Sequence, residues 1–339
     1  MNKLKIGIIG MGRMGITHYS IINPHPDIEI ISVADTTNVV VSILKKYLKN
    51  IEIYKDYREL IIKSKPDAII VCTPPDLHSP ILELAAEHNI HTFVEKPYTV
   101  CYEDSIRLSK LFESKNLINQ VGYVNRFNDV FHYVKEIIDD GVIGDVIRFK
   151  SEMFSNTITS KDEGKGWRGK HESGGGVIFE MASHAIDLIN FLLGKPIKVS
   201  GTSINKIFSK NVEDIVSSTI FYNNGINGTI YVNWSDTSYR KPTNKIELFG
   251  SKGKILADQH SLKIFLNEAN TKYNYINGWN TVYITDVFRS VPFYVRGNEF
   301  TGQLYHFIDL ILGKKNNSIS SFNDGADTQF VINEMFKEI

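Results

Sequence analysis

Lys5-Ile6-Gly7-Ile8-Ile9-Gly10-Met11-Gly12-Arg13-Met14-Gly15 combines a short apolar run, a GxGxxG spacing and the start of a helical pattern. The order strand, glycine turn, helix is that of a dinucleotide-binding unit. Each glycine has a distinct reason. Gly10 makes the tight turn, Gly12 lets the backbone approach a pyrophosphate, and Gly15 permits close packing of helix on strand. Met11, Arg13 and Met14 fill the loop between them, and the whole stretch Gly10–Gly15 is expected to hold the phosphates at a helix N-terminus, where unpaired N–H groups and the helix dipole favour negative charge. Asp35 ends the next apolar run, 20 residues after Gly15, at the offset of the acid that bonds an adenosine ribose. An acid there repels a 2′-phosphate, and Thr36 and Thr37 follow it with no arginine, so the spacing favours NAD over NADP.

Working outward, Ile28–Val33, Ala68–Val71, Thr92–Val94 and Ile118–Val121 are further apolar runs. They alternate with helical periodicity at Arg13–Ile22, Val39–Leu48, Glu59–Lys63, Pro80–His88 and Tyr102–Glu113. That alternation predicts a doubly wound parallel sheet, its strands apolar throughout because helices cover both faces. After Gly122 the pattern changes. A helix over Val130–Asp139 is followed by alternating stretches at Asp145–Met153, Val199–Ser203, Ser217–Tyr222, Gly228–Trp234, Lys245–Phe249 and Lys263–Leu266. Period-two alternation predicts a large, mostly antiparallel sheet with one open face. The expected class is therefore α/β, with a dinucleotide-binding domain over 1–122 and an α+β substrate and oligomerisation domain over 123–339.

The chain has 339 residues, with 38 Lys+Arg balanced by 38 Asp+Glu. The length suits two domains. The balanced charge argues against nucleic-acid binding, which calls for a basic face. Two cysteines, Cys72 and Cys101, are too few for a disulfide framework and point to a reducing compartment. No N-terminal stretch reads as a targeting segment, and no run is expected to reach the ~18 apolar residues of a membrane span. The expectation is a cytoplasmic protein with no membrane partner. No cysteine cluster or HExxH suggests a metal site.

Two segments sit at predicted strand ends, where open parallel sheets bind ligands. Cys72-Thr73-Pro74-Pro75-Asp76-Leu77-His78 follows the fourth strand, and Glu95-Lys96-Pro97 follows the fifth. Further on, Ser173-Gly174-Gly175-Gly176 precedes a helix over Val177–Leu193. Its apolar stripe is Ile178, Met181, Ala185, Ile189 and Leu192. Glu180, His184 and Asp187 share another face. A histidine with a carboxylate one turn away suits acid–base work near neutral pH, although a solvated polar stripe would have the same spacing.

Together, GIIGMGRMG, CTPPDLH, EKP, VGYVNRF and GGGVIFEMASHAIDL resemble the Gfo/Idh/MocA oxidoreductases, the family of glucose–fructose oxidoreductase and inositol dehydrogenase. The resemblance covers about Lys3–Gly194 by specific motifs. It implies a nicotinamide-dependent dehydrogenase acting on a hydroxyl or ketone of a sugar, polyol or nucleotide sugar. Lys96 matches the family lysine near the nicotinamide and the reacting hydroxyl, and His184 matches the acid–base histidine. Glu180 stands where many relatives have aspartate. Thr73, Pro74, His78 and Glu95 match positions that line the cofactor, and Asn125 and Arg126 match a segment near the substrate. The open sheet face implies a homo-oligomer, a dimer or tetramer.

In the mechanism this implies, His184 takes the hydroxyl proton while hydride leaves the carbon, Lys96 stabilises the developing alkoxide, and Glu180 orients the sugar or the imidazole. In the stretch 161–171, Trp167 is a candidate to stack on a sugar and Arg168 to hold a phosphate or carboxylate, among Lys161, Asp162, Glu163, Lys165 and Lys170. Tyr283, Arg289, Tyr294 and Arg296 are unplaced candidates. Two other functions fit the same motifs: a redox-neutral glycosidase that uses NAD transiently, and a non-enzymatic NAD-binding regulator.

Overall fold

A computed structural model describes residues 3–161, 164 and 166–339; Asp162, Glu163 and Lys165 lie outside the described residues. The chain divides into two compact units, 1–124 with 291–326, and 125–290 with 327–339.

The first unit opens with β1 (Leu4–Ile9), α1 (Arg13–Ile22), β2 (Ile28–Ala34), α2 (Asn38–Tyr47) and β3 (Glu52–Tyr54). A short helix α3 (Tyr57–Glu59) runs into a π turn (Leu60–Ser64). Then come β4 (Ala68–Val71), α4 (His78–Glu87), β5 (His91–Val94), α5 (Tyr102–Ser114) and β6 (Asn119–Val121). The six strands are parallel in the order β3-β2-β1-β4-β5-β6. The order reverses beside β1, so the ends of β1 and β4 frame the crevice where such sheets take a ligand. All four residues of β4 are buried, as a strand covered on both faces requires. The edge strand β3 escaped the sequence reading because it is three residues long and only partly buried.

The expected cut at 122/123 needs correction. Residues 291–326 belong with the first unit. The reason is the apolar face of α8 (Asn298–Ile311): Leu304, Phe307 and Ile308 are buried in one cluster with Ile21, Ile22 and Phe93. The Gln120 amide donates to the Gln303 carbonyl at 2.8 Å, and the Ser320 hydroxyl donates to the Val121 carbonyl at 2.8 Å.

The second unit contains α6 (Asp129–Asp139), β7 (Val146–Phe154), a π turn (Ile178–Ala182) that continues into α7 (Ser183–Leu193), then β8 (Pro196–Asn205), β9 (Ile215–Tyr222), β10 (Asn227–Asn233), β11 (Thr243–Gly250), β12 (Gly253–Asp258), β13 (Ser261–Leu266) and β14 (Gly278–Tyr283). α9 (Phe322–Lys337) contributes its later residues. Asn128 caps α6, its side-chain oxygen accepting from the Val130 and Phe131 N–H groups. The eight strands run β14-β13-β12-β11-β7-β10-β9-β8. Every neighbouring pair is antiparallel except β7 and β10. Burial alternates strictly in β9 and β10. The inner face packs on α6 and α7, and the outer face carries Phe249, Trp279 and Tyr283, each more than half exposed.

The stretch His171–Leu193 is long and apolar enough to cross a membrane, contrary to the expectation from sequence, but 78% of its apolar window is buried. Its apolarity is that of an interior helix, with Ile178, Met181, Ala185, Ile189 and Leu192 all in the core.

Candidate active site

In the first unit the glycine loop is built as its spacing requires. Gly10 adopts φ +89°, and a Cβ there would lie 2.7 Å from the Cys72 carbonyl oxygen. A Cβ on Gly15 would lie 1.9 Å from the Gly10 oxygen, so the helix seats directly on the turn. Gly12, at the N-cap of α1, has nothing within 4 Å of its Cβ position. That open cradle at the helix N-terminus fits a pyrophosphate. Beside it, Thr73 Oγ1 is buried with no hydrogen-bond partner among the described residues, a polar atom that a bound cofactor would satisfy. Arg296 also belongs here. Burial and the charge of Arg13 pull its proton affinity down, against a smaller opposite effect of Glu95. Two cations near the glycine loop suit a diphosphate.

Asp35 is already engaged with the loop. One carboxylate oxygen accepts from the Met11 N–H and the other from the Thr37 N–H, both at 2.8 Å. Each oxygen keeps acceptor capacity for a ribose hydroxyl. Asp35→Ser is expected to improve NADP use relative to NAD by roughly 10–100-fold in kcat/KM ratio, as relief of one close repulsion of about 1–3 kcal/mol implies. Steady-state kinetics with both cofactors check it; an unchanged ratio would remove Asp35 from cofactor choice.

His78 differs from expectation. It is fully buried, its Nδ1 lying 3.0 Å from the Pro97 oxygen and its Nε2 3.1 Å from the Thr73 oxygen. The ring ties the turn after β4 to the turn after β5 instead of lining an open surface, and Pro74 sits in the first of those turns. Glu95 is held by His18, Nε2 to Oε1 at 2.6 Å, and lies 3.3 Å from the Lys96 N–H, which donates to it. Burial opposes its charge, but His18 and Lys96 outweigh this and keep the carboxyl below its ordinary range. Sequence reasoning missed His18. Its only signal is a histidine on the buried face of α1 beside Gly15, Ile21 and Ile22.

In the second unit, Glu180 and His184 are both partly exposed. Glu180 lies in the π turn and His184 just after it; such turns recur at functional sites. The Arg168 guanidinium contacts Glu180 Oε1 at 3.3 and 3.4 Å and stacks 4.5 Å from the Trp167 ring. Trp167 and Arg168 thus form one unit with Glu180. The triple glycine explains how they are seated: a Cβ on Gly175 would lie 2.3 Å from the Arg168 oxygen and 2.6 Å from the Trp167 oxygen.

The third member of the expected polar face is not accessible. Asp187 is fully buried, and the Arg126 guanidinium, itself 3% exposed, grips it through Nε and Nη2 at 2.8–3.0 Å. Arg126 therefore anchors α7 rather than presenting a cation to a ligand, and neighbouring Asn125 is 8% exposed. The four unplaced candidates are divided between the units: Tyr283 and Arg289 belong to the second, Tyr294 and Arg296 to the first. Arg289 pairs with Glu136 at 2.5 Å.

Two sequence profiles match the chain. The oxidoreductase family, NAD-binding Rossmann fold, matches residues 4–123, and the GFO/IDH/MocA C-terminal domain matches residues 131–256. This chain belongs to the GFO/IDH/MocA family. It is an NAD-dependent oxidoreductase of that family, and the loop around Gly12 and Asp35 lies within the matched NAD-binding Rossmann segment. Relatives include a myo-inositol 2-dehydrogenase of Thermotoga maritima, 28% identical over 263 residues that make up 75% of each chain. A 2,7-anhydro-N-acetylneuraminate hydratase of Escherichia coli is 26% identical, covering 75% of this chain and 68% of that one. Among solved structures, a levoglucosan dehydrogenase in complex with NADH shares the fold, with TM-score 0.86, 21% identity and coverage of 99% of this chain and 96% of that one.

Proposed function

We propose that this GFO/IDH/MocA oxidoreductase oxidises a secondary hydroxyl of a sugar, polyol or nucleotide sugar, or reduces the matching ketone. The observation that carries the reading is the pairing in one chain of a complete NAD loop with a partly exposed histidine and carboxylate at a π turn. The inositol and levoglucosan dehydrogenases support the substrate class. NAD, when bound, accepts or returns the hydride. His184 takes the hydroxyl proton. Lys96 stabilises negative charge on the oxygen, a preorganised charge worth about 3 kcal/mol at the transition state. Glu180, paired with Arg168, hydrogen-bonds the neighbouring hydroxyls, and Trp167 offers a face to the ring. Thr73, Pro74, Glu95 and the loop Gly10–Gly15 hold the cofactor. Asn125 and Arg126 support the substrate region through packing.

The test is absorbance of NADH during incubation with NAD and polyols, free sugars, sugar acids and nucleotide sugars in turn. Sustained NADH formation with one class establishes the reading. A second reading, redox-neutral turnover, draws on the hydratase relative; it requires product without net NADH. NAD binding with neither outcome would instead favour a regulator.

We also place the protein in the cytoplasm as a homo-oligomer. The open sheet face, where Phe249 and Trp279 project and which a second copy would cover, supports the association; the free thiols Cys72 and Cys101 support the reducing compartment. Sedimentation equilibrium is expected to give a dimer or tetramer, and monomer at micromolar concentration would overturn this.

A further inference from the structure

His18 is fully buried on the inner face of α1, the helix capped by Gly12. Its Nδ1 has no hydrogen-bond partner among the described residues. Its Nε2 lies 2.6 Å from Glu95 Oε1. An ionised carboxylate only accepts, so the shared hydrogen belongs to Nε2 in either charge state of the ring. The ring also meets Phe93 edge-on, with centroids 5.3 Å apart. Phe93 lies in β5 and Glu95 directly follows that strand, so one side chain of α1 grips the end of β5 at two points. A Cβ on Gly122 would lie 3.2 Å from Glu95 Oε1, and the glycine leaves room for the carboxylate in this place.

With Oε1 held, Oε2 accepts the Lys96 N–H at 3.3 Å. On the far side of Lys96, the Pro97 carbonyl oxygen lies 3.0 Å from Nδ1 of the buried His78. The Lys96 backbone is thus tied upstream by the His18–Glu95 pair and downstream by His78. We propose that His18 is a positioning residue: by fixing Glu95 it fixes the backbone of Lys96, and it couples α1, whose N-terminus forms the phosphate cradle, to the lysine that meets the reacting oxygen. The proposal rests on the reading of Lys96 as the group that stabilises the alkoxide.

Without a donor at position 18, Glu95 Oε1 is left buried and unpaired, which is costly for a charged oxygen. The carboxylate then turns to another donor or takes up a proton, and either change loosens its hold on the Lys96 N–H. Lys96 acts on charge that develops only in the transition state, so its displacement costs kcat more than KM. An effect routed through Lys96 also disappears once Lys96 has no amine to place, whereas general loosening of the fold would persist.

The experiment replaces His18 by Leu, Asn and Gln and measures kcat and KM with saturating NAD and myo-inositol, or the panel member that turns over. Glutamine carries an N–H to about the reach of Nε2, asparagine stops short of Glu95, and leucine has no donor. His18→Leu is expected to lower kcat about 10–50-fold with KM changed by less than about threefold. His18→Gln should stay within about threefold of wild type in both. His18→Asn should match His18→Leu, and it takes that variant's place if leucine does not fold. In a Lys96→Ala background the same replacement should lower kcat by less than about a further threefold. An undiminished loss in that background, a kcat of His18→Leu or His18→Asn equal to wild type, or a glutamine variant as slow as these, overturns the proposal. Hydrogen exchange at the Lys96 amide reads the tie without substrate. It should be about tenfold faster in His18→Leu or His18→Asn than in wild type and His18→Gln, and equal rates overturn the tie. Absence of turnover with the whole panel would defeat the functional reading, while exchange would still decide whether His18 holds the Lys96 backbone.

Discussion

Replacing His184 by alanine, or Lys96 by alanine, is expected to lower kcat/KM by about 10²–10⁴-fold while NAD still binds. The size follows from what each group is asked to supply. A positioned general base contributes roughly 10²–10⁴-fold, and a preorganised charge on the developing oxyanion roughly 10²–10³-fold. Each loss corresponds to about 3–5 kcal/mol of transition-state stabilisation. The two variants should differ in cofactor affinity. Lys96 follows Glu95, whose carboxyl is locked by His18 and whose Oε2 accepts the Lys96 N–H, so its backbone sits in the NAD-binding unit and its loss can weaken NAD binding modestly. His184 lies in α7 of the second unit, so its loss should leave NAD affinity within threefold. Fluorescence titration with NADH and initial-rate kinetics separate the two effects. Full turnover in either variant with cofactor still bound would sink the assignment of that residue.

The glycine loop was legible because its constraints are local. A Cβ clash of 1.9 Å at Gly15 and an open Cα at Gly12 leave a spacing signature within six residues. The parallel strands were legible for a similar reason, since burial on both faces leaves continuous apolar runs such as Ala68–Val71. What failed to show in the sequence depends on distant partners. The return of 291–326 to the first unit rests on Leu304, Phe307 and Ile308 meeting α1 and β5, and an amphipathic helix does not announce which sheet it will cover. β12 and β14 lack long apolar runs, and β14 is an edge strand with exposed alternate residues. The spacing of Glu180, His184 and Asp187 gave the right elements and the wrong exposure for Asp187 alone. Helical periodicity assigns positions to a face but cannot say that Arg126, 61 residues earlier, will bury one of them. The π turn over Ile178–Ala182 also shifts Glu180 relative to α7 from its place in a regular helix. His18 was missed for the same reason: it is an isolated ionisable residue whose meaning lies in a partner 77 positions away.

Asp187→Ala should destabilise the second unit by about 3–5 kcal/mol, because it strands a charge that has been removed from water. The Arg126 guanidinium bonds both oxygens of Asp187 from Nε at 3.0 Å and Oδ1 from Nη2 at 2.8 Å, with Thr328 Oγ1 donating to Oδ1 at 3.5 Å. Phe191 packs 5.4 Å beneath the guanidinium, so little water can reach it when the carboxylate is gone. At roughly 2–4 °C per kcal/mol for a unit of this size, Tm should fall by about 6–20 °C. Asp187→Asn keeps one acceptor oxygen and should cost less, while the double replacement Arg126→Met with Asp187→Leu removes both charges and should recover much of the loss, as apolar substitutes for buried pairs do. Urea unfolding followed by fluorescence measures all three. A loss below 1 kcal/mol in Asp187→Ala would mean that water or another group reaches Arg126. The same series bears on catalysis, because Arg126 and Asp187 join the turn Val124–Phe127 to the helix that carries His184. If the pair serves only to anchor that helix, the double variant recovers kcat together with stability. If it recovers stability alone, the charge at Arg126 itself acts on the substrate, and the family expectation for that residue holds despite its burial.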